Sequence, residues 1–445
     1  MKDSNIILNE CDFVVVGQGY VGLVTGACFA EKGYHVTCLD SSENKIQLLN
    51  KGFCPIYEPK LEELIQNNKK MGRLVFTTDY QTIYKKADFI FICVGTPDKQ
   101  DGEADMQDVD LCALQIAEHI EQDCIIIIKS TVPIGTNQRI EKLIRENLKH
   151  NIKIDVVSNP EFLSQGSAVK DMLYASRIVI GTENREAAQK MLYLYKSFKC
   201  PIVSVGRSSA ELIKYASNNF LALKISYIND IANLCELMGT DIQEIVSGMC
   251  LDERIGGHFF NAGIGYGGSC FEKDGKALCY TATQLGYKLR TIESSLIVNQ
   301  EQKLRLFNKA SKIVDLRNLR VAILGLTFKP NTDDIRKAPS LENFPLLLEQ
   351  GNHIVAFDPA GMDNFKNIYP SGRFQNGTVD YATSPFEALN DADICFIFTE
   401  WQNFKELKPE NFIKHMKRPL VFDGRNIFSK VKMSDAGVLY YSIGR

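Results

Sequence analysis

From Asp12 the chain opens on an apolar run, Phe13-Val14-Val15-Val16, that stops at Gly17, and an Ala- and Gly-containing stretch with helical spacing follows to about Lys32. This predicts strand, tight turn and helix. The next strand-like segment, Tyr34 to Leu39, ends at Asp40, and further apolar strands are expected at Phe89 to Val94, Ile125 to Lys129, Ile154 to Val157 and Ile178 to Ile180. Helical patterns separate them, so a doubly wound parallel sheet is the natural arrangement. After about Val205 the texture changes. Ala210 to Met238 has apolar positions three and four apart with no Pro or Gly inside, which predicts one long helix or a tight helical pair opening a helical middle domain. Around Leu319 the alternation of strand and helix resumes, with Arg320 to Gly325, His353 to Asp358, Ala392 to Phe398 and Leu420 to Asp423 as strands of a second, smaller unit of the same kind.

The expected division is 1–205, 206–312 and 313–445, since single cores rarely grow past roughly 250–300 residues and 445 residues leave room for several. Ala87-Asp88-Phe89-Ile90-Phe91-Ile92 echoes Ala392-Asp393-Ile394-Cys395-Phe396-Ile397, which points to a duplicated architecture rather than a repeat array.

Composition narrows the function classes. A net charge of -3 and an isoelectric point near 6.2 provide no broad positive field for a phosphate backbone, so no nucleic-acid partner is expected. Met1 to Glu10 lacks the apolar stretch of a secretory signal, and Ile125 to Ile128 is only strand-sized, so no membrane segment is expected. The thirteen cysteines are scattered, odd in number and without CxxC or metal-ligand spacing, which suits reduced thiols in a cytoplasmic protein and no metal site.

Gly17-Gln18-Gly19-Tyr20-Val21-Gly22 follows a strand and opens a helix, the context in which GxGxxG binds a dinucleotide in a Rossmann fold. The glycines permit the turn and the approach of the pyrophosphate, and the helix N-terminus favours its charge. Asp40 lies eighteen residues beyond Gly22, where a carboxylate holds the ribose diol and repels a 2′-phosphate, so NAD is expected rather than NADP. A glycine turn without ligand is the competing reading.

Gly263 to Gly268 and Ser269 lead into Cys270, then Phe271-Glu272-Lys273-Asp274. A thiol at a helix start beside Lys273 is suited to act as thiolate, and Asp274 four residues on falls on the same helical face. Such a cysteine can trap an aldehyde as a thiohemiacetal, whose oxidation gives a thioester that water hydrolyses. The alternative for Cys270 is a buried structural thiol. Lys214 and Asn218 stand four apart in the long helix and could stabilise an oxyanion, against the alternative of an exposed polar stripe. Thr131 and Glu161 lie in segments after strands, where ligands of doubly wound sheets collect; Thr131 could orient a water and Glu161 could serve as base.

Six segments in order, GQGYVG (17–22), VGTP (94–97), KSTVPIGT (129–136), NPEFL (159–163), the 263–274 run and FKPNTDDIRKAPS (328–340), resemble the UDP-glucose/GDP-mannose dehydrogenase family over nearly the whole chain. The resemblance implies an N-terminal Rossmann domain for NAD, a central helical domain forming a homodimer and a C-terminal Rossmann-like domain for the UDP portion. It implies two-step oxidation of UDP-glucose at C6 to the glucuronate with two NAD. In that scheme Cys270 is the nucleophile, Lys214 and Asn218 the oxyanion stabilisers, Asp274 and Thr131 the water-positioning groups and Glu161 the hydrolytic base. For NAD it implies Gly17, Gly19, Tyr20, Val21, Gly22, Asp40, Lys45, Thr96, Thr131, Gln165, Lys273 and Arg336. For the nucleotide sugar it implies Glu161, Phe162, Leu163, Ser164, Gln165, Lys214, Asn218, Phe259, Phe260, Asn261, Ala262, Gly263, Gly267, Lys329 and Arg425, with Arg254 offered across a dimer interface.

Two positions depart from the family pattern. Gln165 stands where many relatives carry a second acid and cannot serve as a base, and Glu272 stands where proline is frequent, where its charge would oppose thiolate formation. Alternatives are a dehydrogenase for a UDP-N-acetylhexosamine or GDP-mannose, a single-step β-hydroxyacid dehydrogenase using Lys214 and Asn218 alone, and an NAD-sensing module without catalysis.

Overall fold

The computed structural model describes residues 11–445, so the reading of Met1 to Glu10 lies outside the described residues. The described residues divide into two compact units, one running up to 217 with 276–287, the other of 218–275 with 288–445.

The first unit is built on an eight-stranded sheet. Its strands are Phe13–Val16 (β1), Val36–Leu39 (β2), Leu74–Thr77 (β3), Phe89–Ile92 (β4), Cys124–Ile128 (β5), Ile154–Ser158 (β6), Ile178–Gly181 (β7) and Ile202–Val205 (β8), in the order β3-β2-β1-β4-β5-β6-β7-β8. The order reverses at β1, between the β1–β2 and β1–β4 pairs, so the C-terminal ends of β1 and β4 flank the crevice where such sheets hold ligands. β1, β4 and β5 are buried along their whole length, as their unbroken apolar runs require.

One departure from the expected parallel sheet is the β6–β7 pair, antiparallel through a single register partner, Ser158 with Gly181. β7 and β8 then run parallel to one another. Gly181 is required there because a Cβ would lie 2.5 Å from Cβ of Ala210 and 3.0 Å from Cβ of Ser158.

Arg207–Met238 is one unbroken helix of 32 residues, which decides between the two readings of this segment. It starts in the first unit and continues into the second. The second unit adds the helices Ile242–Met249, Arg290–Lys303 and Arg305–Ile313, then a seven-stranded sheet. Its strands are Arg320–Leu324 (β9), His353–Phe357 (β10), Gly372–Arg373 (β11), Thr378–Tyr381 (β12), Ile394–Ile397 (β13), Leu420–Asp423 (β14) and Leu439–Ser442 (β15), ordered β11-β12-β10-β9-β13-β14-β15.

The two sheets share a plan. Gly325 after β9 has φ +95° and packs on Thr399 beyond β13, as Gly17 after β1 has φ +89° and packs on Cys93 beyond β4. Asp358 after β10 corresponds to Asp40 after β2, but it is fully buried and accepts from the amides of Leu326, Thr327, Ala360 and Gly361 and from the indole of Trp401. It is therefore an internal brace. The echo between the segments at 87–92 and 392–397 falls on β4 and β13.

The thirteen cysteines form no disulfide among the described residues. No helix among them is long and apolar enough to cross a membrane.

Candidate active site

The glycine turn meets three separate demands. A Cβ on Gly17 would lie 3.0 Å from the Cys93 carbonyl, and one on Gly22 would lie 1.8 Å from the Gly17 oxygen. At Gly19 nothing stands within 4 Å of that position, so the backbone is open to a ligand where a pyrophosphate needs close approach. Gly19 is also the N-cap of the helix Tyr20–Glu31 and contributes no side-chain acceptor to the first-turn amides.

Asp40 directly follows β2. Its Oδ2 accepts from the Gln18 amide at 2.7 Å and from Lys45 Nζ at 2.7 Å, and Oδ1 accepts from the Ser42 amide at 2.9 Å. Burial pushes this carboxyl up, but those donors outweigh it and hold Asp40 below the usual carboxylate range. An anion fixed at that strand end suits a ribose diol, and the residues present fit NAD. Lys45 is here the counter-ion of Asp40. Thr96 donates to the Thr131 carbonyl at 2.7 Å, which ties the loop after β4 to the loop after β5.

Glu161 and Lys214, both buried, form an ion pair with Oε1 and Nζ 2.8 Å apart. The other oxygen, Oε2, accepts from the Leu163 amide at 2.5 Å. Burial would raise Glu161, yet the Lys214 charge and these bonds hold it low, so it is an anion at neutral pH. Phe162 lies against Arg177, whose guanidinium carbon is 3.9 Å from the ring centroid. Ser164 donates its amide to Asp171, and Gly166 and Ala168 donate theirs to Glu58 at 2.6 and 2.8 Å. Gln165 therefore sits in a segment braced by two carboxylates.

In the second unit Cys270 is exposed, immediately before the helix Phe271–Gln284. The Asp274 amide closes the first turn on the Cys270 carbonyl at 2.8 Å. The buried carboxylate of Asp274 accepts from Asn218 Nδ2 at 2.7 Å and from Lys273 Nζ at 2.8 Å. Lys214 and Asn218 are both buried, so the exposed-stripe reading of the long helix fails there. Their partners differ, however: Lys214 is drawn to Glu161 and Asn218 to Asp274. Glu272 pairs with Lys303 at 3.3 Å and with Lys337 at 3.5 Å.

The loop before the cysteine is held by buried amides that the sequence reading did not single out. Gly263 donates to Asn229 and its carbonyl accepts from Gln302, while Asn299 takes both the amide and the carbonyl of Tyr266. Gly267 leaves no room for a side chain, since a Cβ would lie 2.5 Å from the Lys337 oxygen. Arg425, for which the resemblance implies a substrate contact, donates to the carbonyls of Phe398, Gly265 and Phe328 and so also clamps the loop.

Of the other expected contacts, Phe260 and Ala262 are buried, Phe259 is exposed with φ +64°, Asn261 is exposed, and Lys329 lies over the Phe328 ring. Arg336 pairs with Asp334 and Arg254 with Asp252, both guanidinium groups facing solvent. The signal for Asn229, Asn299 and Gln302 was present as polar residues at inward positions of otherwise amphipathic helices.

The sheet with its reversal point, the glycine turn and the acid after β2 define a nicotinamide-dependent dehydrogenase. Residues 12–199 match the NAD binding domain, 208–301 the central domain and 322–430 the UDP binding domain of the UDP-glucose/GDP-mannose dehydrogenase family. The chain belongs to that family, and its cofactor is NAD.

A UDP-glucose 6-dehydrogenase of Bacillus subtilis (strain 168) is 44% identical over 435 residues, covering 98% of each chain. A solved UDP-glucose dehydrogenase of Pyrobaculum islandicum superposes with a TM-score of 0.89 at 35% identity, covering 97% of each chain. A UDP-D-ManNAc dehydrogenase of Pyrococcus horikoshii gives 0.85 at 26%, covering 98% of this chain and 99% of the other.

Proposed function

We propose that the chain oxidises UDP-glucose at C6 to UDP-glucuronate. What carries this reading is the 44% identity to a UDP-glucose 6-dehydrogenase along almost the entire chain, against 26% to the structurally similar UDP-D-ManNAc enzyme.

NAD, when bound, accepts hydride at each of the two oxidations; Gly17 to Gly22 and Asp40 would hold it, with Lys45, Thr96, Thr131, Gln165, Lys273 and Arg336 as further contacts. The Cys270 thiolate adds to the C6 aldehyde to give a thiohemiacetal, keeping the aldehyde from escaping. Loss of the second hydride equivalent leaves a thioester on Cys270. Water attacks its carbonyl, the C–S bond breaks and the thiolate returns. Lys214 and Asn218 stabilise the oxyanion that develops at each stage, and Glu161 takes the proton of the water that Asp274 and Thr131 orient. Overall one alcohol, one water and two NAD give a carboxylate, two NADH and three protons.

The segment Glu161 to Gln165 and the loop Phe259 to Gly267, with Lys329, hold the nucleotide sugar in this reading, while Arg425 sets the loop's shape. Supply of Arg254 from a second copy fits its solvent-facing guanidinium, and the enzyme is proposed to act as a homodimer in the cytoplasm.

The test is a panel of UDP-glucose, UDP-galactose, UDP-N-acetylglucosamine, UDP-N-acetylmannosamine and GDP-mannose with NAD, scored for NADH per sugar consumed. About two NADH per UDP-glucose, with the other sugars slow, is expected. One NADH per turnover would indicate single-step chemistry, and faster use of an N-acetylated sugar would move the chain to another branch.

A further inference from the structure

Lys129 stands outside the roles assigned so far. It follows β5 directly, and Asn159 follows the paired strand β6, so the two side chains meet at the ends of adjacent strands. Lys129 Nζ donates to Asn159 Oδ1 at 3.2 Å, its one side-chain acceptor among the described residues. Asn159 is itself fixed, with Nδ2 donating to the Val179 carbonyl at 2.8 Å and Oδ1 accepting from the Tyr195 hydroxyl at 2.5 Å.

A buried ammonium resting on a single amide oxygen is poorly compensated, and a fold that needed only packing there would be served as well by an apolar side chain. Burial pulls the Lys129 ammonium below its usual range, and the charge that opposes this acts through space from Glu161, two residues beyond Asn159. The other titratable groups around Lys129 are neutral, because burial pushes the Cys93 and Cys28 thiols up to about 12 and the Tyr195 phenol well above its usual range. Two cations, Lys214 and Lys129, therefore act on one carboxylate.

We propose that Lys129 is a positioning residue of the acid-forming step: seated on Asn159, its ammonium is the second cation that keeps Glu161 ionised when Lys214 turns to the substrate oxygen. The ion pair with Lys214 cannot serve both ends at once. As the lysine is shared with a developing oxyanion, Glu161 in a dry pocket would otherwise take up a proton and lose its function as base. As an ammonium Lys129 has no lone pair to offer the reaction; its contribution is charge at a fixed place.

This inference rests on Glu161 as the hydrolytic base. The test compares the pH dependence of kcat for UDP-glucuronate formation in the wild type, Lys129→Met and Lys129→Gln, the glutamine keeping a donor towards Asn159 without the charge. Removing a cation raises the pKa of a nearby carboxyl, so the acid limb of both variants should move up by about one pH unit, a rate about tenfold lower at the acid end and converging with wild type at high pH. KM for both substrates should change less than about threefold and thermal stability should not fall.

An unmoved acid limb in an active variant overturns the proposal while leaving the Glu161 reading intact. Loss of folded protein in both variants also overturns it, by making Lys129 a structural ion. A wild type that makes no acid sinks the underlying reading instead.

Discussion

Glu58 holds two amides of the segment that follows Glu161, reaching Gly166 across 108 residues of chain. A carboxylate can accept both bonds at once, whereas a glutamine in its place turns one of its two ends into a donor. Glu58→Gln should therefore leave a buried amide without an acceptor and cost about 1–3 kcal/mol. It should also raise KM for the nucleotide sugar severalfold while kcat changes less, because the segment and not the reacting centre is loosened. Thermal denaturation and initial rates check this; unchanged stability and KM would show that the brace is idle. Contacts of this kind explain what the sequence could not reveal. Glu58 reads as one more acid beside a proline, and only the fold brings it to Gly166. The glycine turn, Asp40 and the cysteine after its loop were legible because their chemistry is local: the turn, the strand end and the helix start are each written in a few consecutive residues. The partners of Lys214 and Asn218, by contrast, lie 53 and 56 residues away in sequence, so their division between Glu161 and Asp274 was not readable.

At the scale of elements, the long helix shows both the reach and the limit of pattern. Its helical character was legible from an uninterrupted period without Pro or Gly, but whether one helix or a tight pair formed was not. Strands β3 and β8 were missed because they are edge strands; Val75, Val203 and Ser204 are exposed, so the continuous apolar run that marks a central strand is absent. The same helix carries an unexplained row: Phe220, Tyr227 and Leu234 are exposed and spaced by seven residues, so they lie along one face, with Leu237 close to its end. An apolar face of this kind needs a partner, and a second copy of the chain is the proposed one. Sedimentation should give twice the chain mass of 50.1 kDa, and Phe220→Asp with Tyr227→Asp should lower it to the monomer value. A wild-type monomer at micromolar concentration would contradict the dimer.

At the scale of the molecule, the two sheets follow one plan but differ in what they leave open. After β2, Asp40 keeps capacity for a ligand beside an open glycine; after β10, Asp358 is enclosed by backbone amides and Trp401. The duplicated texture was visible in sequence, whereas this difference depends on which donors surround each acid. The first unit holds the cofactor turn and the Glu161–Lys214 pair, and the second holds Cys270 with Asp274 and Asn218.

The central claim is that one thiol carries the substrate between two oxidations. Mixing Cys270→Ser with excess UDP-glucose and NAD, then following NADH and the mass of the quenched protein, tests it most directly. The claim requires UDP-glucose binding close to that of wild type and a burst of no more than about two NADH per subunit that then stalls, with added mass on the substituted side chain if the ester stage is reached. Continued formation of UDP-glucuronate at near the wild-type rate would show that Cys270 is not the nucleophile.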